Sequence, residues 1–240
     1  LASTTAGTSN FRAGVNAGAN IASGGNYNVA VGDEAGNDIT TGDANVAIGF
    51  QALDAEDNHG ANIAIGRSAL STLNAGVDGY NVAVGHLAGD LMTTGVQNTI
   101  VGALSGDSLT DADRNTVLGY SALTLDTLGS RSTAIGAVTL ANQNFTTATE
   151  SYNTAVGYAA GQEVTTGVEN TLIGALTGDA LTEGGLNVAV GTSALGVDTK
   201  GSRNVAVGVS ALNQQNFTTA TNSYNTGVGY QAGGAITTGV

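Results

Sequence analysis

Asn28-Val-Ala-Val-Gly32 returns as Asn45-Val-Ala-Ile-Gly49, Asn62-Ile-Ala-Ile-Gly66 and Asn81-Val-Ala-Val-Gly85. Eight further versions begin at Asn98, Asn115, Ser132, Asn153, Asn170, Asn187, Asn204 and Asn225, making twelve in all. Successive starts step by seventeen positions, except for nineteen before Asn81 and twenty-one before Asn153 and Asn225. Self-similarity on a short, fixed period marks a solenoid, in which one supersecondary unit is stacked many times. No 3.6-residue period runs through the repeat, and Gly, Thr, Asn and β-branched residues dominate it. The pattern predicts an all-β fold, a parallel β-solenoid (β-roll or β-helix) with coils of about 17 residues.

Within each phrase the second and fourth positions share one strand face and the third points the other way. The fourth is always aliphatic, as at Val31, Ile48, Leu118 and Val228, and the second is Val, Ile or Thr. Apolar residues on both faces predict a strand buried on both. The larger row is expected to fill the coil's own core. The small row, Ala30, Ala47, Ala64, Ala83, Ala155, Ala189 and Ala206, is expected to let a neighbouring chain approach closely, so Ala83→Arg should disrupt assembly more than the coil. The leading Asn28, Asn45, Asn62, Asn81, Asn98, Asn115, Asn153, Asn170, Asn187, Asn204 and Asn225 are expected to hydrogen-bond along the axis as a ladder, with the repeated Gly permitting the corner. A second anchor follows three positions after the Gly, as at Ala35, Ala52 and Ala160, and is itself followed by Leu or Gly. Seventeen residues at about 3.3 Å each enclose a perimeter of at most roughly 56 Å, one narrow triangular or flattened coil.

A longer rhythm lies over the short one. Thr93-Thr94-Gly95, Thr165-Thr166-Gly167 and Thr237-Thr238-Gly239 recur at a step of seventy-two positions, and Thr40-Thr41-Gly42 occupies the same place in its coil. Asn144-Phe-Thr-Thr-Ala-Thr149 returns as Asn216-Phe-Thr-Thr-Ala-Thr221, leading into Tyr152 and Tyr224. Residues 28–240 therefore read as a twelve-coil shaft with a 72-residue super-repeat, and residues 1–27 as a degenerate first coil near Asn10 or a junction. At about 4.8 Å per coil, twelve coils advance roughly 58 Å. The chain starts on Leu and stops inside a repeat, and reads as a piece of a longer protein.

Bulk composition removes several classes. A net charge of −13 with six basic residues leaves no cationic stripe for nucleic acid and disfavours anionic membrane surfaces. No apolar run approaches the roughly 18 residues of a membrane span. Cysteine is absent, so neither disulfides nor thiolate metal sites are available. The 37 glycines do not fall on every third position, which excludes collagen.

Asn153-Thr-Ala-Val-Gly-Tyr158 and Asn225-Thr-Gly-Val-Gly-Tyr-Gln-Ala232 resemble repeats of bacteriophage tail-fibre proteins, and are similar also to the head repeats of trimeric autotransporter adhesins. The resemblance implies a homotrimer of parallel β-rolls or an interwound β-helix that serves host attachment, on a virion tail fibre or at an extracellular cell surface. The adhesin head repeat is typically a few positions shorter than the one in this chain. The function expected is a structural fibre segment, a rigid spacer supporting adhesion, with the head or stalk of a bacterial adhesin as the alternative and a glycan-cleaving tailspike as the third reading.

No catalytic, metal-ligating or cofactor-binding residue is assigned. Asp54, Glu56 and Asp57, like Asp107, Asp111 and Asp113, offer oxygen ligands or paired acids, but read as solvated turn residues, because Gly185 replaces Asp113 one super-repeat later. His59 and His86 read as turn histidines. Thr-Thr-Gly pairs are too sparse for an ice-binding lattice. Arg131 and Arg203, one super-repeat apart, are expected to bridge to acids of an adjacent chain. Phe145, Tyr152, Phe217 and Tyr224 are the candidate contact surface, for another copy or for a host-cell glycan or protein.

Overall fold

The computed structural model describes residues 7–240, and among them there is no helix. The chain divides into two compact units, Leu1–Asn115 and Thr116–Val240. In the first, the strands Phe11–Ala13, Val29–Val31, Val46–Ile48, Ile63–Ile65, Val82–Val84 and Thr99–Val101 run parallel, each paired with the next. In the second, Thr116–Leu118, Thr133–Ile135, Thr154–Val156, Thr171–Ile173, Val188–Val190, Val205–Val207 and Thr226–Val228 do the same. Equivalent phrase positions always face each other, as Ala30 faces Ala47 and Val31 faces Ile48. The longer coils keep this register: Ile63 pairs with Val82, and Thr133 with Thr154. Each unit is a parallel β-solenoid. The first strand of the first unit follows Asn10, ahead of the twelve phrases, while residues 1–6 lie outside the described residues.

The two strand faces are the reverse of the sequence expectation. Ala30, Ala47, Ala64, Ala83, Ala155, Ala189 and Ala206 are fully buried within a single chain. They line the coil interior and present no surface to a neighbour. The second and fourth positions point outward, half-exposed in most strands. The coil is too narrow to take two large aliphatic side chains from one wall.

The rest of the interior follows a volume rule. Eight positions after the phrase start stands Gly or Leu, and three further on stands a second inward residue. Gly36, Gly89, Gly106, Gly161 and Gly178 go with Ile39, Met92, Leu109, Val164 and Leu181. Leu53, Leu123, Leu140, Leu195 and Leu212 go with Glu56, Asp126, Gln143, Asp198 and Gln215. A Cβ on Gly36 would sit 2.7 Å from Ile39 Cδ1. Among the twelve phrases, only the coil of Leu70 and Leu73 holds two large apolar residues at these positions. Both Gly36 and Leu53 are left-handed, with φ of 54° and 50°. This conformation costs a non-glycine residue roughly 1–2 kcal/mol, which burial of the whole Leu side chain, worth about 1.5–3 kcal/mol, offsets.

Corners impose a second strain and a remedy for it. The residue before every one of the twelve phrases is left-handed and non-glycine, from Tyr27 (φ 58°) to Tyr224 (φ 51°). The Asn that follows is buried in all but the last coil. Its Oδ1 accepts the backbone N–H of the next Asn: Asn45 N lies 2.8 Å from Asn28 Oδ1, Asn98 N 2.9 Å from Asn81 Oδ1 and Asn170 N 2.9 Å from Asn153 Oδ1. Its Nδ2 donates within its own coil to the carbonyl fourteen positions on, as from Asn28 to Gly42 at 2.8 Å and from Asn170 to Gly184 at 2.9 Å. The ladder is thus side chain to backbone, with direct amide-to-amide bonds only at some steps, such as Asn187 to Asn170 at 3.1 Å. At Ser132, which replaces Asn, Gln143 donates to Ser132 Oγ at 2.8 Å and accepts from Asn153 Nδ2 at 2.9 Å, and Gln215 accepts from Asn225 Nδ2 at 2.8 Å in the coil of Asn204.

Two outcomes test these assignments. Ala83→Arg should abolish the coil itself, costing more than about 4 kcal/mol in chemical denaturation at every protein concentration, because it drives a charge into a filled interior. Asn170→Ala leaves the Asn187 N–H and the Gly184 carbonyl without partners, and should cost about 2–4 kcal/mol in the same assay.

Candidate functional site

The long coils are where the two solenoids depart from uniformity, and an inward acid prepares each of them. Asp126 Oδ1 accepts the N–H of Gly129 at 3.1 Å and, from the long coil that follows, the N–H of Phe145 at 3.0 Å. Its Oδ2 accepts Gln143 Nε2 at 2.6 Å. Asp198 repeats the arrangement with Gly201, Phe217 and Gln215 at 3.0, 2.9 and 2.6 Å. One carboxylate therefore pins the start of the insertion to the coil before it. Phe145 and Phe217 are turned inward by this bond and are only 5% and 6% exposed. That corrects their assignment as contact residues: their rings help fill the widened coil.

Tyr152 and Tyr224 do lie outside, 49% and 66% exposed. Beneath them two short parallel sheets stiffen the long coils, Gly129–Ser130 with Thr149–Glu150 and Gly201–Ser202 with Thr221–Asn222. The Arg131 guanidinium lies 5.7 Å from the Tyr152 ring centre, and that of Arg203 lies 5.9 Å from Tyr224. Arg131 Nε pairs with Glu150 Oε1 at 2.9 Å, and the Tyr152 hydroxyl donates to Glu150 Oε2. Arg203 Nε donates to Asn222 Oδ1 at 3.2 Å. Both arginines are thus engaged within the chain, where the sequence suggested acids of another chain.

The outward strand face is the other prominent surface. Its columns hold Val, Ile, Leu and Thr, as in Ile63 and Ile65 or Thr171 and Ile173, and exposed aromatics follow the phrase glycine at Phe50, Tyr120, Tyr158 and Tyr230. Sequence reasoning passed over these aromatics and over the Asp–Gln pairs. The signal for the pairs was present, since Asp126 with Gln143 recurs as Asp198 with Gln215 one super-repeat later.

The acidic cluster does not converge. Glu56 points inward and is fully buried, whereas Asp54 and Asp57 are half-exposed. Among the described residues no group of three or more His, Asp or Glu could hold a metal ion, and no helix is long and apolar enough to cross a membrane. Asp113 Oδ1 accepts the N–H of Val96 at 2.8 Å, a structural bond between coils. Glu56 takes the place of Asp126 ahead of the first lengthened coil, accepting the N–H of His59 at 3.3 Å. Leu73 stands where Gln143 and Gln215 stand, so Glu56 Oε2 meets no donor, and His59 Nδ1 lies 3.4 Å from Oε1 without hydrogen-bond alignment.

Burial pushes the Glu56 carboxyl above its ordinary range, against the lowering effect of the Ala75 and His59 N–H groups and of the His59 side chain. Folding therefore favours protonated Glu56. Its contribution is complete below the ordinary glutamate pKa and is lost as pH rises through the raised value. In thermal melts, Glu56→Gln should lose less stability than the wild type between about pH 4.5 and 7.

No protein-family model matches the sequence, no curated protein matches it, and no solved structure matches the fold.

Proposed function

We propose that this chain is a non-enzymatic structural segment of a host-attachment fibre, of the kind carried on a phage tail, and that three copies assemble through the outward strand faces. The observation that carries the reading is the row of outward Val, Ile and Leu side chains that the fourth position of all twelve phrases turns away from the coil's own core, joined by Val or Ile at the second position in six of them. Aliphatic columns repeated in constant register are a surface suited to burial against an identical surface. The acidic balance of −13 discourages association by other routes. Within each unit, coils held by buried hydrogen bonds and packed side chains resist bending, as a spacer for an adhesive tip must. The head of a trimeric autotransporter adhesin is the alternative, supported by the same Asn-led phrase, and the coding sequence on either side distinguishes the two.

Sedimentation equilibrium tests the assembly. The wild type should be a trimer, and Val84→Asp combined with Ile65→Asp should yield single chains that retain the β-type circular dichroism spectrum. A wild-type monomer would refute the trimer. So would a trimer unaffected by both aspartates.

A further inference from the structure

The two Tyr–Arg corners carry more than a role in the spacer. They occupy one column of the second unit, the position before the phrase, and stand four coils apart, roughly 19 Å at about 4.8 Å per coil. At each, a guanidinium holds one face of the ring while the residue keeps about half or more of its surface in solvent. A short sheet fixes the backbone below, and a side-chain acceptor, Glu150 or Asn222, stands two positions before the ring. The first unit supplies a contrast. Tyr80 occupies the same position, but Ala61 stands before the preceding phrase, where the platforms have their arginine.

We propose that Tyr152 with Arg131 and Glu150, and Tyr224 with Arg203 and Asn222, are a pair of sugar-stacking platforms that bind one linear neutral polysaccharide running along the column. The chemistry around the rings separates a glycan from a protein partner. A protein hot spot needs an apolar seal around the aromatic anchor. Here the short sheets bring Ser130, Thr149, Ser202, Thr221 and Asn222, hydroxyls and an amide suited to sugar hydroxyl groups, and the column between the platforms holds Glu169, Leu186 and Arg203, with Leu186 its single apolar side chain. A pyranose lays its apolar C–H face on an exposed ring, and the ring, already held by its arginine, loses little freedom when the sugar arrives. An acidic polymer is disfavoured: Arg131 is already paired with Glu150, Glu169 stands one coil beyond Tyr152 in the same column, and the chain as a whole carries −13, against the single Arg203, which donates to the neutral Asn222. Two like platforms on one rigid unit favour a polymer over a single sugar, because the second contact forms at high effective concentration.

Both platforms lie within one chain, so the test stands apart from the number of chains, which sedimentation reports. In native gels cast with laminarin, xylan or dextran, migration of the full chain should be retarded by at least one of the three. Tyr152→Ala and Tyr224→Ala should each weaken the apparent affinity at least tenfold, and the double variant should migrate as in a gel without polysaccharide. Tyr152→Trp should keep the retardation, since stacking and not the hydroxyl carries it. Thermal melts of each variant establish that the coil survives. Absence of retardation in all three gels overturns the proposal, and so does retardation that persists in the folded double variant.

Discussion

Closing so short a coil buries polar backbone at the corner where one turn passes into the next, and a single asparagine satisfies that corner twice. Its Nδ2 ties the end of its own coil to the start, as at Asn28 and Gly42, while its Oδ1 receives the N–H of the coil above. Neither bond competes with water, so each is expensive to leave unmade. The left-handed residue before the phrase directs the chain into this corner, and the hydrogen bonds over-determine a conformation that would otherwise be costly. Remove the asparagine and the strand register, the narrow interior and the outward columns all lose their reference point. In both four-residue-longer coils a glutamine joins the ladder, Gln143 accepting from Asn153 Nδ2 and Gln215 from Asn225 Nδ2, whether the coil opens on Ser132 or on Asn204.

Much of the fold could be read from the sequence, because the period fixes the stacking and the phrase fixes the strand. Its inner and outer faces were misread, although the parity was available. Positions one, three and five of a strand share a face. An asparagine repeated as an axial ladder must be shielded from water, which places Asn28 inside and Ala30 with it. Aliphatic size pointed the other way, and size is a poor guide when the enclosure is this narrow. Phe145 and Phe217 were misplaced for a related reason. An inserted segment invites an exposed reading, and only the bond from each N–H to a buried aspartate turns the ring inward. The tyrosines seven positions later have no such anchor and stay outside.

Interior volume explains why the second anchor is followed in some coils by Leu and in others by Gly. Where the third phrase position is alanine, most coils take one large apolar side chain from one of two positions, and where it is Ile100 or Leu172 a second fits beside it. Where Leu123 supplies it, the other inward site is free for Asp126, which then acts on the next coil. Where Gly106 leaves the space, Leu109 fills it and no acid is accommodated. Packing thereby decides where a long coil can begin. An acid needs a leucine three positions earlier, and the long coil needs the acid. Glu56 obeys the first half of this logic but lacks the glutamine partner, because Leu73 fills that place. Its Oε2 meets no donor, whereas Asp126 Oδ2 and Asp198 Oδ2 each accept from a glutamine.

Variation is confined to one side of the coil, and that confinement separates two kinds of surface. Insertions of two and four residues fall in the coil after the inward acid, between Leu73, Gln143 or Gln215 and the next phrase, never within a strand, so the outward columns pass through them without a register shift. A surface kept regular through such changes suits a partner with the same repeat, and another copy of the chain has it. The corner that absorbs the insertions is different. It gains a short extra sheet, an exposed tyrosine and an arginine over the ring, once in each of two long coils. Uniform faces favour assembly and decorated corners favour recognition. The solenoid can carry both because the axial hydrogen bonds, and not the coil length, set the distance from one turn to the next.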